Sequence, residues 1–172
     1  EKEAIYDDIN LKIERALDEA TIYMNGKPVE NTKADFETRI GQAMDDLIKR
    51  VYGKLEHITA AKGPNDLAKA LRKEKPVLEL DVENTENELA LDDLKTYIQL
   101  VGQVSLRNVK DKFALAPYGF IDDDINWLVG KLFMDGKLTV SINGEIMSSV
   151  AINDKLMFDY ITKKQYQDKL LL

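Results

Sequence analysis

The chain has 172 residues, 44% of them apolar and 32% charged, with a formal net charge of −7 and a pI near 4.9. That composition excludes a disordered tail and bounds the chain to one or two globular domains. The absence of cysteine excludes disulfides, thiol catalysis and Cys-ligated zinc, and the acidic balance disfavours a generic nucleic-acid binder. No apolar run approaches the roughly 18–20 residues that cross a bilayer, and the N-terminus lacks the zones of a signal peptide. A soluble, cytoplasmic protein without membrane contact is expected.

In chain order, Ile5, Ile9, Ile13, Leu17, Ala20 and Met24 recur at spacings of three and four between charged residues, which predicts an amphipathic helix over 3–24. Asn25-Gly26 is expected to end it, with Pro28 beyond. Asn31 or Thr32 can cap a second helix with the stripe Phe36, Ile40, Met44, Leu47, Val51, Leu55 and Ile58, stopping before Gly63-Pro64 and containing Gly41 and Gly53. Two such helices joined by a short loop predict an αα-hairpin over 1–62, through which a homodimer could form. Residues 63–84 form a connector: a short helix with Leu67, Ala70 and Leu71 inward, then the extended stretch "KPVLELD". The domain boundary is expected between 62 and 85.

Thr85-Glu86-Asn87-Glu88 has the form of a capping box, opening a helix that buries Leu91, Leu94, Ile98 and Val101 and ends at Gly102. Ser105 can cap a short helix with Leu106, Val109 and Phe113 inward. A Pro117-Tyr118-Gly119 turn follows, then a helix with Ile125, Leu128, Val129, Leu132 and Phe133 inward. Alternation around Asn143-Gly144 predicts a type I′ hairpin. Helix, helix, turn, helix and hairpin is the winged-helix order, assigned to 85–152. Residues 153–172 are expected to be a helical segment with a second capping box at Thr162-Lys163-Lys164-Gln165, ending in Leu170-Leu171-Leu172.

The motifs that carry chemistry are missing: no phosphate-binding loop, dinucleotide fingerprint, H-E-x-x-H pair or EF-hand spacing occurs. Asp122-Asp123-Asp124 is the one acidic cluster to weigh. Consecutive helical residues point about 100° apart, so the three do not converge on one metal, whereas acids in a first turn complement the helix dipole. His57, the single histidine, lacks the converging donors that a metal needs. No catalytic residue, metal or cofactor is therefore expected. Tyr118, Phe120 and Trp127 form an aromatic trio that either anchors packing or, with Asp122 and Asp123, meets a protein partner. A nucleic-acid reading would instead use Arg107, Lys110, Lys131 and Lys137. Three carboxylates at the start of the reading helix repel phosphates, so duplex DNA is the disfavoured partner.

The stretch "APYGFIDDDINWLVGKLFMDGKL", residues 116–138, resembles a segment of the large P-loop ATPase subunit of bacteriophage-exclusion (BREX) defence systems. That family carries Pro-Tyr-Gly-Trp, a short polar gap, Asp-Ile, a helix ending in Leu-Phe and a turn into a strand. Pro117, Tyr118, Gly119, Asp124-Ile125, Leu132-Phe133 and Lys137-Leu138 match, and Phe120 replaces the usual Trp. The resemblance covers about 85–150. It implies a parent that hydrolyses ATP within a multi-subunit assembly acting against phage, with the ATPase residues outside this chain. An opening at Glu1 rather than methionine leads to the expectation of an internal or C-terminal fragment lacking the phosphate-binding loop. The expected role is a non-catalytic docking or spacer module contacting other subunits, or other domains of the parent.

Overall fold

The structure, a computed structural model, describes residues 2–29, 35–72 and 86–172. It is mainly helical with small antiparallel sheets and forms two compact units, Glu1–Val51 and Tyr52–Leu172. The division falls upstream of the 62–85 interval read from the sequence. Tyr52 belongs to the second unit because its ring lies against Gly119, and the Lys54 amide donates to the Pro117 carbonyl at 2.9 Å. "KPVLELD" and Thr85 lie outside the described residues, as do Asn31 and Thr32.

In the first unit, α1 (Lys2–Glu19) stops five residues before the expected end at Met24. Asn25 and Gly26 both take positive φ, 51° and 74°, and form the turn of a two-stranded hairpin, β1 (Tyr23–Met24) and β2 (Lys27–Pro28). Consecutive left-handed residues suit a type I′ turn, so Asn-Gly serves a hairpin here and not a helix cap. Helix α2 (Phe36–Val51) is capped by Asp35, whose carboxylate accepts from the Thr38 amide and hydroxyl, both at 2.9 Å. These bonds, the amide's first, hold the Asp35 carboxyl below its ordinary range. Helix α2 ends at Val51, so Gly53 lies beyond it and Leu55 falls in a 3-10 turn, Leu55–His57.

One side chain clasps the two long helices. The Arg39 guanidinium donates to the carbonyls of Leu17 (2.9 Å), Asp18 (2.7 Å) and Ala20 (2.8 Å). It thereby satisfies acceptors left open at the α1 C-terminus, where a cation also complements the dipole. The α1 stripe is present, yet no residue of α1 is buried. In α2 only Arg39 and Ala43 are.

The second unit holds the core. Around α6 (Asp122–Met134) stand α3 (Pro64–Leu71), α4 (Glu88–Val101), α5 (Leu106–Ala114) and α7 (Asp154–Thr162). Ser105 caps α5 as expected, accepting from the Asn108 amide at 3.3 Å. The α7 cap is Asn153, accepting from the Leu156 amide at 3.1 Å. The wing is β3 (Val140–Ile142) and β4 (Glu145–Met147), turning through Asn143 and Gly144 with φ of 51° and 85°.

The C-terminus departs from the expected helix. Thr162 is the last residue of α7, its hydroxyl donating to the Phe158 carbonyl at 2.8 Å, and the expected second capping box is not formed. The chain then enters β5 (Leu170–Leu171), giving the sheet order β4-β3-β5. Ser105 bridges to Leu171 of β5, and just beyond it Val104 and Leu172 exchange amide-to-carbonyl bonds of 3.2 and 2.9 Å. Leu170 and Leu172 are buried. Three apolar side chains gain more from a strand slot beside the core than from a free helical end.

Candidate functional site

The turn before α6 is a packing device. Gly119 has φ of 70°, and a Cβ there would sit 2.7 Å from the Tyr52 ring, so both backbone and space require glycine. The Tyr118 ring stands 4.4 Å from Phe113 and 5.4 Å from Phe120, centroid to centroid, with Phe113 and Phe120 at 5.8 Å. The Lys54 ammonium lies 5.1 Å from the Tyr118 centroid. The Ala116–Pro117 peptide bond is cis.

These positions correct the expected contact patch. Phe120 is 2% exposed and Trp127 5% exposed, so both belong to the core and neither presents a surface to a partner. Tyr118 is half-buried, and Asp122 and Asp123 keep access to solvent. Leu115 and Ile121, exposed on either side of the turn in sequence, were missed because isolated apolar residues in a turn carry no periodic signal.

The three aspartates have different tasks. The Asp122 carboxylate pairs with the Lys110 ammonium at 3.2 Å, at the free N-terminal turn of α6. Asp124 is buried and accepts the backbone amide of Lys62 at 2.7 Å, latching the segment before α3 onto α6. Burial pushes the Asp124 carboxyl above its ordinary range, opposed by that bond. Asp123 is partly exposed. A first-turn acid cluster suits the helix dipole locally, whereas the Lys62 latch joins residues 62 positions apart.

Helix α6 is enclosed. Asp124 to Gly130, Leu132 and Phe133 are all buried. A Cβ on Gly130 would lie 2.6 Å from Leu67 Cδ1 and 3.5 Å from Leu71 Cδ2, so glycine lets α3 approach closely, and Ile161 of α7 stands nearby. The Lys62 ammonium covers Trp127 at 4.9 Å from the ring centroid. The helix occupying the position of a groove reader is thus covered by other helices of its own unit.

The four cations of the nucleic-acid reading are each paired with a carboxylate. Arg107 binds Asp168 with both Nε and Nη2, the latter at 2.9 Å. That pair raises the guanidinium and holds the Asp168 carboxyl below its ordinary range. Lys110 is buried against Asp122, Lys131 reaches Asp135 at 2.8 Å, and Lys137 reaches the same carboxylate at 3.8 Å.

Two polar clamps escaped sequence reasoning. Asp93 of α4 accepts Lys54 Nζ at 2.7 Å and contacts His57 Nδ1 at 2.6 Å, tying the 3-10 turn to α4 and accounting for the single histidine. Asn87, fully buried with φ of 58°, accepts from the Ala60 amide and donates to the Ala60 carbonyl, both at 2.9 Å. An asparagine tolerates the left-handed region and offers both hydrogen-bond roles, which suits it to this junction. Among the described residues no group of three or more His, Asp or Glu is arranged to hold a metal, and no helix is long and apolar enough to cross a membrane.

Three helices, with α6 third, followed by a two-stranded wing and closed by a sheet, define a winged helix-turn-helix protein. Residues 49–172 match the family described as the BREX ATP-binding protein BrxC winged helix-turn-helix domain, and the chain belongs to that family. The resemblance carried by Pro117-Tyr118-Gly119 and Leu132-Phe133 is confirmed by this match, which extends well upstream of residue 85. No solved structure matches the chain.

Proposed function

We propose that the chain is a non-catalytic interaction and spacer module of a BREX ATP-binding protein, with ATP hydrolysis located outside it. The observation that carries this reading is the enclosure of α6: Asp124 to Gly130, Leu132 and Phe133 are buried, so the helix that would read a groove has no base-reading face. The pairing of Arg107, Lys110 and Lys131 with Asp168, Asp122 and Asp135 supports it further, because cations already neutralised release few counterions on meeting phosphate. The partners are other subunits of the defence assembly or other domains of the parent chain, and the module itself needs no cofactor.

The test combines three measurements on the purified chain. Co-migration with purified subunits of the parental assembly in size-exclusion chromatography is expected, while ATP turnover and duplex binding at low salt are expected at background. ATP hydrolysis by the chain alone overturns the non-catalytic part. Duplex binding that weakens steeply with salt favours the nucleic-acid alternative and overturns the rest, as does failure to co-migrate with any subunit.

A further inference from the structure

The first unit presents a face that its own fold does not cover. On α1, Ile5, Ile9, Ile13 and Leu17 are exposed, between 39% and 58% of each residue's surface, and lie within about 120° of helical arc at about 100° per residue. The arc on one side of this stripe holds Glu3, Asp7, Glu14 and Asp18, all exposed, with Asn10 and no Lys or Arg among them. The opposite flank carries Asp8, Lys12, Arg15 and Glu19, which sum to no net charge, with Lys12 already bonded to Asp8 at 2.7 Å.

We propose that α1 docks a partner helix of defined chemistry: an amphipathic helix with its own apolar stripe, flanked by a line of Lys or Arg that meets Glu3, Asp7 and Glu14. This rests on the protein-interaction reading above and names the surface and the partner's chemistry. The charge pattern selects this occupant over a second copy of the chain. Antiparallel self-pairing sets the acidic ridge against its own copy, and parallel self-pairing sets it against a flank without net charge. A basic flank replaces repulsion with attraction along the length of the helix. An anionic surface is repelled by the same ridge.

The test titrates the full chain with two synthetic three-heptad peptides, identical in their Leu and Ile stripe and carrying either Lys or Glu on the flanks. The Lys peptide is expected to bind, with an affinity that falls as salt rises, and the Glu peptide to bind at least about tenfold more weakly. The triple variant Glu3→Lys, Asp7→Lys, Glu14→Lys reverses that order; it leaves Asp18 alone because its carboxylate accepts the Phe36 amide. Ile9→Asp with Ile13→Asp loses both peptides, and far-UV circular dichroism verifies that α1 persists in each variant. Equal affinity for the two peptides, no binding of either, or self-association of the wild-type chain that Ile9→Asp with Ile13→Asp removes overturns the proposal. If the Ile9 and Ile13 variant still co-migrates with the assembly's subunits, docking on α1 fails while the wider interaction reading stands. If the wild-type chain retains no subunit, the wider reading itself fails.

Discussion

Helices α1 and α6 are near opposites built from similar materials. Both repeat apolar residues at helical spacing, yet α1 buries none of its residues whereas α6 buries nine of thirteen. The helix with the clean amphipathic stripe is the uncovered one. The helix that opens with three aspartates is the centre of the core. What separates them is the supply of neighbours: α3, α4, α5 and α7 all pack on α6, and Gly130 removes the side chain that would hold α3 away. Helix α1 is tied to α2 by a hairpin and by a guanidinium on its last carbonyls, contacts that fix an end and leave the stripe open. A stripe shows that a helix can be covered, and only packing supplies the cover.

The contrast can be broken most directly at Trp127. Replacing it with alanine removes a large buried ring from the core, so urea denaturation is expected to show a loss of about 3–5 kcal/mol; an unchanged stability would return Trp127 to the surface role first considered for it. Gly119→Val forces a branched side chain into the left-handed region and against Tyr52, with an expected cost of about 2–3 kcal/mol by the same measurement. Asp124→Ala leaves the part-buried Lys62 amide without its acceptor, at about 1–3 kcal/mol.

Asp124 also carries a pH signature. Its carboxyl is raised in the folded state, so its favourable contribution is fully present below the unfolded value and is lost as pH rises through the folded one. Asp124→Asn keeps an acceptor oxygen and removes this titration, so its stability relative to the wild type improves as pH rises from the acid range; pH-dependent denaturation curves that stay parallel contradict the burial argument. The smallest effect is expected in the first unit, where Ile13→Ser on the exposed stripe shifts stability by no more than about 0.5 kcal/mol. A larger loss, followed by denaturation with the helical signal as readout, would mean that the stripe is covered in the free chain.

The legible parts of this protein were those written in local chemistry. Ser105 had to cap because its hydroxyl stands at the start of an apolar-periodic run, and Asn143-Gly144 had to turn because few other pairs take two positive φ angles cheaply. The same rule was available at Asn25-Gly26, but the helical stripe around it gave a competing signal, and the hairpin won through its strand pairing. The aromatic turn was legible as a motif and carried the family resemblance. Its role divided between packing and contact, and burial decided for packing at Phe120 and Trp127.

The sequence by itself determined the helix order, the wing, the Ser105 cap and the absence of familiar catalytic motifs, because each depends on residues a few positions apart. The tertiary structure alone decided that Asp124 reaches the Lys62 amide, that Asn87 grips Ala60, that Asp93 gathers Lys54 and His57, and that the terminal leucines form a strand beside Ser105. These contacts join residues from 27 to 66 positions apart, and no periodicity spans such distances. At Asp124 and Asn87 burial leaves the polar group no water, so it takes the partner that the fold brings near.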